Sequence, residues 1–175
     1  MTYFVVDIES DGPFVPKYSM VSFGAVVLDE KLDRTFYGQV RPISPFWIPE
    51  ALAVSGHTRD ETLRFPTPEI VMPQFVTWVG ENNKKGSSPI FVSDNNGYDF
   101  SFMNYYLWEF THGNIFGHHS RNMSDLFKGM EKNIQSRFQH LKRTTHTHHP
   151  VDDAKGNAEA LLTMRTMGLK LSHVP

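Results

Sequence analysis

Near the start of the chain, a strand-like apolar run ends on two carboxylates. Residues 2–9 read TYFVVDIE. Their β-branched and aromatic content favours a buried strand over a helix, and Asp11-Gly12-Pro13 then breaks the run. On a strand, side chains two apart share a face, so Asp7 and Glu9 project together. Burying like charges side by side is costly without a compensating cation. That strand end must therefore reach either solvent or a bound cation. On this feature alone both outcomes are open, because Asp and Glu are seldom buried.

The chain has 175 residues, which suits one domain, 1–175, with a core that needs no disulfide. It contains no cysteine. That excludes thiolate ligands and a cysteine nucleophile and suits a reducing compartment. There is no run of about 18 apolar residues to span a membrane, and the first apolar run is too short for a signal peptide. A cytoplasmic protein without membrane contact is expected. Seventeen basic and nineteen acidic residues give a formal charge of −2. A protein that coats long duplex DNA carries a basic excess instead. An enzyme that grips one chain end through metal ions needs none.

Residues 19–28 and 35–41 form two more strand candidates, an antiparallel meander with the first. A short helix is expected around Glu50 to Val54. Thr67-Pro68-Glu69 is a helix start, with a capping hydroxyl and proline at the first position. That helix runs to about Gly80, with Pro73 marking a kink or a later start. Residues 89–93 (PIFVS) form a fourth strand, and residues 98–110 an aromatic helix. A short helix covers Ser124 to Lys132, residues 133–150 are irregular, and Asp153 to Met167 is a terminal helix. Strands first, then helices mixed with further strands, read as an α/β sandwich with a mixed sheet.

Two further segments carry chemistry. Asp99 follows the strand FVS through the polar turn Asp94-Asn95-Asn96-Gly97 and falls in the first turn of a helix. Ligand sites of α/β sheets gather at such places, although the helix dipole also favours an acid there. The run His148-His149-Pro150-Val151-Asp152-Asp153 joins imidazoles, a rigid turn and two acids at a helix start. Hard divalent cations prefer carboxylate oxygens. Four acids from separate segments can hold two such ions about 4 Å apart around a phosphate, and a histidine beside them can accept a proton from water.

Taken in order, D-x-E in VVDIES, Asn-x3-Asp in DNNGYD and H-x4-D in HHPVDD resemble the three motifs of the DEDDh 3′–5′ exonucleases. This is the superfamily of RNase T, oligoribonuclease and polymerase proofreading subunits. Each motif is short, but the ordered triple spans Asp7 to Asp153. The resemblance implies an RNase H-like three-layer fold with a mixed five-stranded sheet flanked by helices. It implies two Mg²⁺ or Mn²⁺ ions, one held by Asp7, Glu9 and Asp153 and the other by Asp7 and Asp99. His148 would be the general base, with His149 as rival; Asp152, the rival acid, reads as a cap or a supporting group. Ser10 and Asn95 would touch substrate or support the site. The substrate would be a single-stranded 3′ end, RNA ahead of DNA, because a small standalone domain resembles the RNase T and oligoribonuclease branch. Such enzymes often form homodimers, and the aromatic surplus offers an interface. Two bound ions would carry the formal charge from −2 to about +2.

The chain departs from the family pattern in two places. Asp94 stands where many members carry histidine or glycine, and the stretch Pro42 to Pro49 is long and aromatic. Phe46 and Trp47 there form either a lip over substrate or a cap on the core. Phe102, Tyr105, Tyr106 and Trp108 have helical spacing, which favours core packing over base stacking. No acid occurs between Lys132 and Val151. That segment reads either as a mobile basic flank meeting phosphates or as a solvated loop. Two other readings stay open: a non-catalytic module that binds nucleic-acid ends or a protein, and a phosphodiesterase acting on small nucleotides.

Overall fold

A computed structural model describes residues 1–172. One mixed sheet contains β1 (Thr2–Ser10), β2 (Met20–Val27), β3 (Thr35–Gln39), β4 (Pro89–Ser93) and β5 (Ser120–Asn122), in the order β3-β2-β1-β4-β5. β1, β2 and β3 form the expected antiparallel meander. β4 pairs with β1, and β5 with β4, in parallel. The helices are α1 (Pro49–Val54), α2 (Arg59–Thr62), α3 (Pro68–Asn82), α4 (Asn96–Thr111), α5 (Met123–Glu131) and α6 (Pro150–Thr166), with a 3₁₀ turn at Gln139–Leu141.

The period of two along β1 sorts its side chains into two layers. Phe4, Val6 and Ile8 pack with Val71, Phe75 and Val79 of α3 and with Phe102 and Tyr106 of α4. Tyr3 and Val5 pack with Phe127 of α5 and with Ala154, Ala158 and Leu161 of α6. Phe4, Phe23, Phe75 and Phe91 are wholly buried, each worth about 1.5–3 kcal/mol relative to exposure. Asp7 and Glu9 continue the odd series and so belong to the α6 face.

Several boundaries differ from the sequence reading. α6 begins at Pro150, three residues early, because proline at the first position sets the helical φ. α3 continues through Pro73 and makes no side-chain cap at Thr67. α2 lies in a stretch given no helix, although Thr58 and Glu61 form a reciprocal capping box at its start. β5 reads Ser-Arg-Asn and has no apolar alternation; pairing with β4 defines it. Phe102 and Tyr106 are in the core, whereas Trp108 is half exposed and stacks on His118.

Gly24 faces Asp7 across the β1–β2 ladder. A Cβ at Gly24 would overlap the carbonyl carbon of Pro150 and the nitrogen of Val151. The first turn of α6 thus rests directly on the β2 backbone, which brings Asp153 to Asp7. Gly24→Val is expected to cost about 1–3 kcal/mol, the usual scale of overpacking. At this chain length that is roughly 2–4 °C in Tm per kcal/mol, accompanied by loss of nuclease activity. A melt and a rate measurement check it; a variant unchanged in both would show that this close approach does not set the site.

Candidate active site

The site forms where β1 runs past the end of β4. The parallel pairing takes Val5 to Val92, so Asp7 lies beyond the last paired rung. It is reached from one layer by α4 and from the other by α6. A register shift between Glu9 and Ser10 interrupts the β1–β2 ladder there, the kind of bulge that re-aims side chains beside a site. Carboxylate oxygens of Asp7, Glu9 and Asp153 all lie within 4.8 Å of one another. Asp99, 2% exposed in the first turn of α4, does not belong to that trio. It is the largest charge influence on Asp7.

Electrostatics make this cluster a place that could hold a cation. Burial, then the charges of Asp99, Asp94, Glu9 and Asp153, hold the Asp7 carboxyl well above the usual carboxylate range. Burial and then Asp153 push Glu9 to about 7. Burial and then Asp94 push Asp99 to about 8. Oδ2 of Asp99 is buried without any hydrogen-bond partner, and an orphaned carboxylate oxygen is expensive. Like charges this close do not ionise together unless something positive joins them. Oxygen-only donors in this number suit a hard divalent ion.

Asp153 is 3% exposed and organises the approach to α6. Its two oxygens accept the backbone N–H groups of Thr147 and His148, each at 2.9 Å. His148 takes a left-handed φ of 60°, and its Nδ1 stands 3.8 Å from Glu9 Oε1, with the ring half exposed. The rival His149 turns away: its ring packs on Tyr37, 4.9 Å between centroids, and its Nδ1 is 3.7 Å from Asp152. Asp152 is not the cap of α6, whose N-cap is His149. A third histidine, not singled out in the sequence, reaches the site. His146 Nδ1 lies 2.9 Å from Asp153 Oδ2.

The remaining candidates occupy the rim. Ser10 is buried; its hydroxyl donates to the Gly12 carbonyl at 2.6 Å and meets the Tyr98 hydroxyl at 2.5 Å. Asn95 is exposed, and its carbonyl accepts the Tyr98 and Asp99 N–H groups that start α4. The Pro42–Pro49 stretch does not cap the core at its aromatics: Phe46 is 59% exposed and Trp47 38%. Buried Asp11 fastens this lip through Arg59 at 2.8 Å, which also donates to the Ser44 carbonyl and lies over Trp47. The basic flank is also tied down. Glu159 accepts both the Arg143 and the Thr144 N–H, and Lys142 lies 3.5 Å from Asp94.

A mixed sheet flanked by helices, with paired carboxylates on its central strand and acids from both helical layers around them, defines an RNase H-like nuclease. No family model matches the chain. It is 33% identical over 126 residues to the 3′-5′ DNA exonuclease Cap18 of Escherichia coli, a match covering 71% of this chain and 67% of that one. The structure is similar to the nuclease domain of 3′hExo, a DEDDh family member bound to rAMP. There the TM-score is 0.77 at 17% identity, over 99% of this chain and 97% of that one. It is also similar to E. coli Exonuclease I in complex with a dA16 oligonucleotide, with a TM-score of 0.68 at 13% identity, over 93% of this chain and 41% of that one. The chain belongs to the DEDDh 3′–5′ exonuclease superfamily and is a 3′–5′ exonuclease.

Proposed function

We propose that the enzyme removes nucleotides singly from the 3′ end of single-stranded DNA and releases nucleoside 5′-monophosphates. The observation that carries this reading is the carboxylate set: three oxygens gathered from Asp7, Glu9 and Asp153, together with the orphaned Asp99 Oδ2, whose charge acts on Asp7. Asp7, Glu9 and Asp153 would hold one Mg²⁺ or Mn²⁺ ion, and Asp7 and Asp99 a second. When bound, such ions supply Lewis-acid stabilisation of the phosphate and acidify a water.

The protein's own groups do the rest. His148, half exposed beside Glu9, accepts a proton from the attacking water as the water oxygen bonds to phosphorus; the bond to the 3′-oxygen breaks, and that oxygen takes a proton from solvent. The hydrogen bonds from Thr147 and His148 to Asp153 fix that imidazole relative to the acids. The exposed rings of Phe46 and Trp47, fastened to the segment that follows Glu9, suit stacking against the terminal bases. Lys142 and Arg143 offer cations to nearby phosphates. The RNA preference drawn from domain size gives way to DNA because the relative at 33% identity is a DNA exonuclease. No membrane-crossing helix occurs among the described residues, in keeping with the cytoplasmic setting we propose.

The test is parallel digestion of 5′-labelled DNA and RNA twenty-mers of one sequence, with Mg²⁺ or Mn²⁺. The expected result is a ladder shortening from the 3′ end, mononucleotide products, and faster loss of DNA. Faster loss of RNA would reverse the substrate assignment, and internal cuts would overturn the exonuclease polarity.

A further inference from the structure

His146 does more at this site than the proposed hydrolysis asks of it. It stands two residues before His148, and their rings meet at 4.2 Å between centroids, inclined at 70°. Its Nδ1 is 2.9 Å from Asp153 Oδ2. Ligand atoms of His146, His148 and Asp153 all lie within 4.8 Å of one another, a grouping distinct from the Asp7, Glu9 and Asp153 trio. The two groupings share Asp153. One is built of oxygens alone; the other offers two imidazoles and one carboxylate.

That donor set selects a different metal. Mg²⁺ keeps to oxygen ligands in octahedral geometry, whereas Zn²⁺ takes imidazole nitrogen and carboxylate oxygen in a tetrahedron, often with three protein ligands and one water. Zinc bonds of about 2.0–2.2 Å place tetrahedral ligand atoms roughly 3–4 Å apart; here the three ligand atoms all lie within 4.8 Å of one another. Both imidazoles are about half exposed, so their rings have room to turn toward a shared ion. The carboxylate is already fixed by two backbone N–H groups, leaving lone pairs on both oxygens. The segment is held as well, since Thr144 is pinned to Glu159 on α6.

We propose that His146, His148 and Asp153 form a Zn²⁺ site that switches the nuclease off. This rests on the reading of His148 and Asp153 as parts of the catalytic centre. Zinc held there occupies the imidazole that accepts the proton. It also adds positive charge on Asp153, an acid the catalytic ions require. The site is inhibitory by construction: its ligands are withdrawn from the reaction while zinc is bound.

The full chain is titrated with Zn²⁺ against a chromophoric chelator, and the wild type is compared with His146→Gln and Asp7→Asn. The wild type is expected to take one zinc ion in competition with the chelator. His146→Gln should bind it about tenfold or more weakly, since even an outer partner of a ligand is worth about 10–100-fold. Asp7→Asn, which leaves all three ligands, should keep the affinity within a few fold. Hydrolysis by wild type and His146→Gln in excess Mn²⁺ is then followed as Zn²⁺ is added, each of the two against its own zinc-free rate. The zinc concentration giving half inhibition should rise in His146→Gln by the factor found in the binding assay. Equal zinc affinity in wild type and His146→Gln overturns the site, as does loss of binding in Asp7→Asn alone, which would put zinc among the catalytic carboxylates. His146-dependent binding without inhibition overturns the switch. The chelator assay reads metal and not turnover, so His146-dependent binding by a chain that digests nothing would support the site and defeat the catalytic reading instead.

Discussion

Asp7→Asn is expected to abolish hydrolysis and, in the absence of metal, to raise the melting temperature. Both effects come from one cause. Asp7 is partly buried, and its carboxyl feels the charges of Asp99, Asp94, Glu9 and Asp153, so its own charge is unfavourable to the metal-free fold and is the charge the proposed cations would offset. Losing a ligand common to both proposed ions forfeits several kcal/mol of charge stabilisation; at 1.36 kcal/mol per tenfold, that is about 10³ in rate or more. The pH dependence follows from the raised proton affinity of the neighbouring acids. Glu9 ionises at about 7 instead of 4.5, and Asp99 at about 8 instead of 3.8. The folded chain thus keeps protons that the unfolded chain has released. The metal-free protein has this stability in full below the ordinary carboxylate pKa and loses it as pH rises through about 7 and about 8. A tenfold gain in a carboxylate's proton affinity on folding is worth about 1.4 kcal/mol, and each kcal/mol is roughly 2–4 °C in Tm at this length. With chelator present and Asp99 ionised, Asp7→Asn should therefore melt above wild type. Added Mn²⁺ should raise the wild-type Tm and move the variant much less. Scanning melts in chelator and in Mn²⁺ across this pH range, beside a digestion assay, measure all of it. Digestion by Asp7→Asn at the wild-type rate would remove Asp7 from the mechanism.

Much of this arrangement is legible in the chain because it depends on short periods. Two residues along a strand put Asp7 and Glu9 on one face, and the pattern of β1 to β4 places that face against a helix. The ordered motifs named, among their acids, the three whose oxygens gather, Asp7, Glu9 and Asp153. What escapes a sequence reading depends on approach across long separations. β5 is three polar residues whose strand character comes from pairing with β4. Gly24 looks like any glycine in a strand until Pro150 lies against it. Arg59 meets Asp11 across 48 positions, and nothing local in either segment announces the pair. The histidines are the sharpest case. His146, His148 and His149 stand within four residues of one another, yet the left-handed turn at His148 and the backbone grip of Asp153 send the first two toward the acids and the third toward Tyr37. Spacing alone left His148 and His149 as rivals and gave His146 no part.

That turn also makes His148 separable from its neighbours by substitution. His148→Gly is expected to lower kcat by about 10²–10⁴, the usual worth of a general base, with a smaller change in KM. The fold should not suffer, because a φ of 60° is strained for a side-chain-bearing residue and free for glycine. The glycine N–H can still donate to Asp153 as the histidine N–H does. Removing a half-exposed ring leaves a space open to solvent beside Glu9. Free imidazole in the buffer should therefore restore part of the rate in proportion to its concentration and do nothing for wild type. His149→Gln, which loses the contacts with Tyr37 and Asp152, should remain within a few fold of wild type. A large loss in His149→Gln with an active His148→Gly would transfer the role to His149. A His148→Gly protein that is inactive, folded and deaf to imidazole would leave the histidine a positioning part only, with the proton passing to solvent by another route.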